Sequence, residues 1–308
     1  MAPRCNHCGA SAEIYLDYAR LNLCPACFTK FFEKKVKSTI SKYGMIKPHD
    51  RVLVAASGGK DSSALLFALK QLYPNVELKA LHINLGISGY SDECEQKFRK
   101  LAEGLSVDFV VFDLREELGI SMDDFQRTVY RRRLCSPCGT IKRYLMNKLA
   151  YEGGFTKLAT GHNLDDVVEV LLNNYLHGKV EQLVKLKPVL PSIHPKSVAK
   201  IKPLWEMTEM EDLLYASYQD IPFRTVECPL SEGTRSLRWK RLIDEVAGRV
   251  RGFKHTFVKS HLNKVLPLLE RSTSLPPLVE CKSCGMPSSS EICAFCRRVQ
   301  LAKGLAEI

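Results

Sequence analysis

The sequence predicts an α/β protein on a doubly wound parallel sheet, with a small zinc-ribbon module at each terminus. Three observations lead there. From Asp50 onward short apolar runs alternate with stretches of helical periodicity, a double-glycine break joins the first run to its helix, and ten of the twelve cysteines fall in C-x-x-C pairs. A chain of 308 residues can bury one full α/β core and still carry small appendages.

The first element is the pair of knuckles Cys5/Cys8 and Cys24/Cys27, two dithiols across a short connector, the spacing of a tetrahedral structural zinc site. His7 lies inside the first knuckle, but four cysteines already fill four positions. In "FTKFFEKKVKSTISKYGMI" the apolar Phe28, Phe31, Phe32, Val36 and Ile40 share one helix face and the lysines fall on the other. Strand then alternates with helix. Strands are expected at Arg51–Ala56, Glu77–Ile83, Val107–Asp113 and Lys157–Thr160, and helices at Ser62–Leu72, Asp92–Leu105, Thr140–Glu152 and Leu164–Leu176. The stretch "PLLERSTSLPPLVE" suits a linker, and beyond it Cys281/Cys284 and Cys293/Cys296 repeat the zinc pattern. The expected division is a zinc module at 1–30, a catalytic domain at 31–270 and a second zinc module at 275–300.

The glycine break carries the first chemical signal. In "VLVAASGGKDSSALL" a buried strand ends at Ala56 and Ser57–Asp61 turn into a helix. Gly58 and Gly59 allow close backbone approach, the helix N-terminus offers free N–H groups, and Lys60 adds a full positive charge, so phosphate is the natural guest. A Walker A loop would need glycine and a hydroxyl where Val54 and Asp61 stand, and the dinucleotide fingerprint is absent. Ligands of open α/β sheets lie beyond the carboxyl ends of the strands, which brings "ALHINLGISGYS" and "ATGHNLDDVVEVLLNN" to the same place. The expected cofactor-binding set is Ala55, Ser57, Gly58, Gly59, Lys60, Asp61, Ser62, Ile83, Gly161 and Asp166. Asp165 reads as a complement to its helix dipole, whereas Asp166 beside a phosphate suits Mg²⁺.

A second signal is "YRRRLCSPCGTIKRY". It joins the cationic run Arg131–Arg133 to a dithiol, Cys135 and Cys138, and then to Lys142. With Cys228 of "VECPLSEG", these cysteines make a three-thiolate set able to hold a cubane cluster with one iron free of protein ligands. Cys94 competes for the third place, but it falls inside a predicted helix and reads as a small half-buried residue. Persulfide chemistry on Cys135 or Cys228 without a cluster is the alternative. With 45 Lys plus Arg against 34 Asp plus Glu, the net charge of +11 favours an anionic partner such as nucleic acid. No apolar run approaches a membrane span, so a cytoplasmic protein with no membrane partner is expected.

Together "SGGKDS", "LHINLGISGYS", "CSPCG", "TGHNLDD", "ECP" and "CKSCGMPSSSEICAFC" resemble the TtcA/TtuA family of PP-loop tRNA thiolation enzymes, over nearly the whole chain. The paired terminal zinc modules resemble its TtuA/NcsA branch. The resemblance implies a sheet of the PP-loop ATP pyrophosphatase type and ATP-dependent replacement of a uridine C2 oxygen by sulfur. It also implies a [4Fe–4S] cluster on Cys135, Cys138 and Cys228, with Lys142 and Asp166 catalytic. The cofactors implied are ATP, Mg²⁺, the cluster and two Zn²⁺. The partners are tRNA and a sulfur donor, either a ubiquitin-like thiocarboxylate protein or free sulfide, and a homodimer is one assembly open to the chain. Position 54 in the T-loop of the tRNA is favoured slightly over anticodon position 34. Where several relatives close the first zinc site with histidine, this chain has Cys27. A function of another class, a zinc-ribbon RNA-binding protein whose nucleotide loop is vestigial, fits the charge and knuckles but not the intact loop.

Overall fold

A computed structural model of the chain describes residues 3–231, 234–274 and 276–304. The amino-terminal module is the hairpin β1 (Ile14–Leu16) and β2 (Leu21–Leu23), followed by α1 (Pro25–Lys42). Pro25 opens α1 where its missing N–H costs nothing. The face read from the sequence is buried at Phe28, Phe32, Val36 and Ile40, while Phe31 is only half-buried.

The central sheet contains β3 (Arg51–Ala55), β4 (Glu77–Asn84), β5 (Asp108–Asp113), β6 (Lys157–Thr160), β7 (Val189–Leu190) and β8 (Ala199–Ile201), in the order β5-β4-β3-β6-β8-β7. Every pairing is parallel except that of β7 with β8. Val52, Leu53 and Val54 of the central β3 are buried because neighbours cover both faces, which explains an unbroken apolar run instead of an alternation. The alternating pattern of the sequence thus marks four of the six strands. The antiparallel edge, two and three residues long, is too short to show a period.

The helices between strands are α2 (Lys60–Leu72), α3 (Ser91–Gly104), α4 (Leu114–Leu118), α5 (Cys135–Glu152), α6 (Leu164–Leu176) and α7 (Val180–Lys185). After the sheet come α8 (Glu209–Tyr218), α9 (Arg235–Arg249), α10 (Phe253–Ser260) and α11 (Leu266–Ser272), then the hairpin β9 (Val279–Glu280) and β10 (Pro287–Ser288) and α12 (Ala294–Ala302). Helix α8 packs on both α1 and α2, with Tyr215 stacked on Phe32 at 4.0 Å between ring centres. The first module shares the main core through Ile14, Leu16 and Leu23. The second rests on α5, where Tyr144 and Phe295 stack at 3.7 Å. Among the described residues no helix is long and apolar enough to cross a membrane.

Candidate nucleotide and metal site

The turn after β3 is closed by its own serines. Ser62 Oγ accepts from the Ser57 amide at 3.0 Å and donates to the Gly59 carbonyl at 3.1 Å. No side chain caps α2, so its first N–H groups stay free for a ligand. Gly58 has φ +79°, and a Cβ there would lie 2.3 Å from the Cys94 carbonyl oxygen. A Cβ on Gly161 would lie 2.9 Å from the Ser62 backbone. Both glycines are set by close approach: one lets the loop lie on α3, the other lets the β6–α6 turn lie against the loop.

Beyond the loop is a cavity of about 340 Å³. Ala55, Ser57, Gly59, Asp61, Ser62, Ile83, Gly161 and Asp166 of the expected set line it, together with Lys142. Gly58 instead faces Cys94, and Lys60 turns to Glu209 at 2.6 Å and Asp61 at 3.4 Å. Asp166 holds the third position of a capping box with Asn163. Asp165 is buried, accepts from the Glu209 amide at 2.8 Å and pairs with Lys254. Its dipole role is thus accompanied by a packing one.

Several neighbours carried no readable signal. Glu209 pairs with Lys60 and with Lys240 at 2.8 Å, and Lys240 reaches Asp166 at 3.0 Å. Asn163 donates to Asp61 at 3.3 Å and to the fully buried Asp212 at 3.0 Å, which closes a ring of charges. Thr208-x-x-Glu211 is a legible capping box marking the start of α8, but nothing local shows that Glu209 meets Lys60. Lys240 stands on a helix far along the chain.

Burial comes first in the electrostatics. It raises the Asp61 carboxyl to about 6, with Asp166 and Glu209 adding repulsion against the pull of Lys60. It also raises Asp212, which Asp61 reinforces. In Glu209 burial is outweighed by Lys240 and Lys60, which hold the carboxyl at about 2. Burial keeps His162, another wall residue, below its ordinary value, helped by Lys202, Lys142 and Arg143 against Asp166. The oxygen donors Asp61 and Asp166 fit a Mg²⁺ bound with phosphates, the hard-cation chemistry expected of them.

Cys135 and Cys138 open α5, and Lys142 follows one turn after Cys138. All three face a common region. Cys138 and Cys228 join one apolar cluster, and Cys135 donates to the Leu230 carbonyl, two residues past Cys228, at 3.3 Å. Burial raises the Cys228 thiol, and Cys138 and Cys135 lie close enough to raise it further. Cys94 is buried under Gly58. Three free thiols that influence one another, Cys135, Cys138 and Cys228, fit a cubane held at three corners. Arg131, Arg132 and Arg133 are exposed in the turn just before them.

The terminal cysteines form two compact sets, Cys5/Cys8/Cys24/Cys27 and Cys281/Cys284/Cys293/Cys296, each with its four sulfurs within 4.8 Å of one another. The Cys293 amide donates to Cys281 at 3.2 Å and the Cys296 amide to Cys293 at 3.4 Å. Four sulfurs at that spacing, supplied with N–H donors, fit a tetrahedral ion such as zinc. His7 is exposed and belongs to neither set.

Comparison with known proteins agrees with this geometry. Residues 28–231 match the model of the PP-loop domain, and residues 4–29 that of the 2-thiouridine synthetase TtuA N-terminal LIM domain. The chain is 41% identical to a tRNA-5-methyluridine(54) 2-sulfurtransferase of Pyrococcus horikoshii, over 96% of this chain and 93% of that protein. It is 37% identical to the protein of that name from Thermotoga maritima, over 97% of each. Among solved structures it is similar to the U34-tRNA thiolase NcsA from Methanococcus maripaludis, solved with its [4Fe–4S] cluster, at TM-score 0.82 and 29% identity over 99% of this chain and 97% of that one. With its loop, its cysteine sets and these likenesses spanning the chain from end to end, the protein belongs to the TtuA/NcsA branch of the PP-loop tRNA thiolation family.

Proposed function

We propose that this protein is an ATP-dependent tRNA-uridine 2-sulfurtransferase acting at position 54. One observation carries the reading: α5 bears Cys135 and Cys138 at its start and, on the same side, Lys142 in the wall of the nucleotide cavity. Sulfur chemistry and phosphate chemistry are thus adjacent on one rigid element. The two relatives named for position 54 are 41% and 37% identical, against 29% for the thiolase named for position 34.

Ser57–Ser62 and the free N-terminus of α2 hold the ATP phosphates. The uridine C2 oxygen attacks the α-phosphorus and pyrophosphate leaves, so that the poor leaving group of the carbonyl becomes AMP. Lys142, in the cavity wall, offsets the negative charge that develops on the phosphoryl oxygens, and Lys60, held by Glu209 and Asp61, adds positive charge from beside the loop. Asp166 is the carboxylate for Mg²⁺, which supplies further charge neutralisation when bound. A sulfur nucleophile then attacks C2 and AMP departs. Cys135, Cys138 and Cys228 would hold the [4Fe–4S] cluster, which would supply iron able to bind the sulfur. The eight terminal cysteines hold two Zn²⁺. The partners are tRNA and a sulfur donor, a ubiquitin-like thiocarboxylate protein or free sulfide; a homodimer and a cytoplasmic location complete the reading. The division into 1–30, 31–270 and 275–300 is kept as the proposed set of units. A zinc-ribbon RNA-binding protein is disfavoured, because the loop keeps both its free helix N-terminus and its cavity.

The two half-reactions can be separated. Asp166→Ala and Lys142→Ala are expected to lose adenylated tRNA, while Cys228→Ala still consumes ATP in the presence of tRNA and yields no thiouridine. Nucleoside mass spectrometry alongside pyrophosphate release measures both. Loss of adenylation in folded Cys228→Ala protein would refute the separation, and thiolation at position 34 would refute the site.

A further inference from the structure

On the flank of α5 a second cavity, of about 360 Å³, opens between the sheet edge and the carboxy-terminal module. Arg143, Lys200 and Arg297 line it with hydroxyls from Thr140, Ser197 and the serine run 288–290, and no Asp or Glu takes part in its wall. None of the three cations has an acid within 4.0 Å among the described residues. The neighbouring Lys196, by contrast, pairs with Glu280 at 2.8 Å. Burial pushes the Lys200 ammonium below its ordinary range and Arg143 adds repulsion, so this charge is uncompensated among the described residues.

Lys200 is half-buried, and leaving such a cation without a counter-charge is costly, so an arriving anion removes that cost; Arg143 and Arg297 are exposed and add their charge at the rim. Guanidinium, ammonium and hydroxyl donors together suit a phosphate group. Arg143 also lines the nucleotide cavity, so the two cavities share a wall. Ile193, 63% exposed, adds an apolar lining that a free phosphate ion would not need but a ribose or base would use. The triphosphate has its own place on the loop across the cavity. An RNA strand fits both features.

Resting on the thiolation reading above, we propose that this second cavity holds a backbone phosphodiester of the substrate tRNA beside the nucleotide whose base enters the ATP cavity. Backbone contacts of this kind set register and leave sequence unread. The cavity would hold the strand while the target base is turned out of its stack.

The test is binding of an unmodified tRNA transcript containing U54 to full-length protein across a NaCl series, for wild type, Lys200→Met, Arg297→Met, the double variant and Lys200→Arg. Each methionine variant is expected to weaken binding and to flatten the plot of log affinity against log salt by about 0.9 for every phosphate it no longer neutralises. Lys200→Arg should restore most of both, and ATP affinity without tRNA should stay within about twofold of wild type. Arg297 is exposed on α12, so its variant serves even if Lys200→Met lowers the melting temperature. A folded double variant with wild-type tRNA affinity and salt slope would overturn the proposal. So would one that kept tRNA binding and was impaired only in its affinity for a poly-glutamate peptide, which would give the cavity to an acidic protein segment. Wild-type protein that failed to bind the transcript would overturn the thiolation reading itself and this inference with it.

Discussion

Gly58 and Gly59 are neighbours with different obligations. At Gly58 the positive φ and the Cys94 carbonyl 2.3 Å from an added Cβ both forbid a side chain, whereas the nearest atom to a Cβ on Gly59 is Ser57 Oγ at 3.5 Å. Gly58→Ala is expected to cost about 2 kcal/mol or more and to abolish ATP binding, because α3 and the loop must separate. Gly59→Ala should keep the melting temperature, and equal melting temperatures for the two variants would contradict the assignment. Lys202 gives a pH test. Burial first, and Lys200 second, lower its ammonium from 10.5 to about 8. Between those values the unfolded chain binds the extra proton, so this residue makes stability rise as pH climbs from about 8 to 10.5. Lys202→Met should remove that part of the slope in denaturant titrations at several pH values. Identical slopes would show that Lys202 keeps an ordinary pKa.

Helices far apart in sequence meet around Asp166. Lys240 on α9 joins the carboxylates of Asp166 on α6 and Glu209 on α8, and Glu209 in turn holds Lys60 at the start of α2. One side chain therefore positions three elements of the ATP site. Lys240→Met should slow tRNA-dependent pyrophosphate release by on the order of tenfold or more, the effect of removing charge-assisted contacts to both Asp166 and Glu209, with Lys240→Arg retaining most of the rate. The Michaelis constant for ATP, the turnover number and the melting temperature are to be measured together. A change in melting temperature alone would reduce Lys240 to a structural pair.

For the whole molecule the decisive quantity is metal content. Four, four and three cysteines in separate sets predict two zinc ions and one oxygen-labile [4Fe–4S] cluster per chain in anaerobically prepared protein. Cys135→Ala should lose iron and keep zinc, read by elemental analysis and the visible spectrum. Iron retained in full would defeat the cysteine assignment, and iron lost with intact catalytic turnover would favour persulfide chemistry. The net charge of +11 acts at this scale too, drawing tRNA to the surface before any specific contact forms.

Local chemistry made much of this legible in the sequence. The buried run of β3, the glycines at a strand-to-helix break and the two-residue gaps within the dithiols are short-range features, dictated by backbone geometry and metal coordination over a few residues. The i, i+4 relation that sets Lys142 beside Cys138 is equally local, since a helix repeats at that interval. The sequence favours Cys228 over Cys94 as the partner of Cys135 and Cys138, and the fold supports that proposal by seating Cys228 in the apolar cluster of Cys138 while Cys94 lies beneath Gly58. Only the tertiary structure brought Glu209 and Lys240 to Asp166, turned Lys60 away from the cavity, and laid the second zinc module on α5 so that Arg143, Lys200 and Arg297 share one wall. Ion pairs between residues far apart in the chain have no period or spacing to announce them. They arise because packing of apolar faces fixes the backbones first and leaves the charges to find partners within reach.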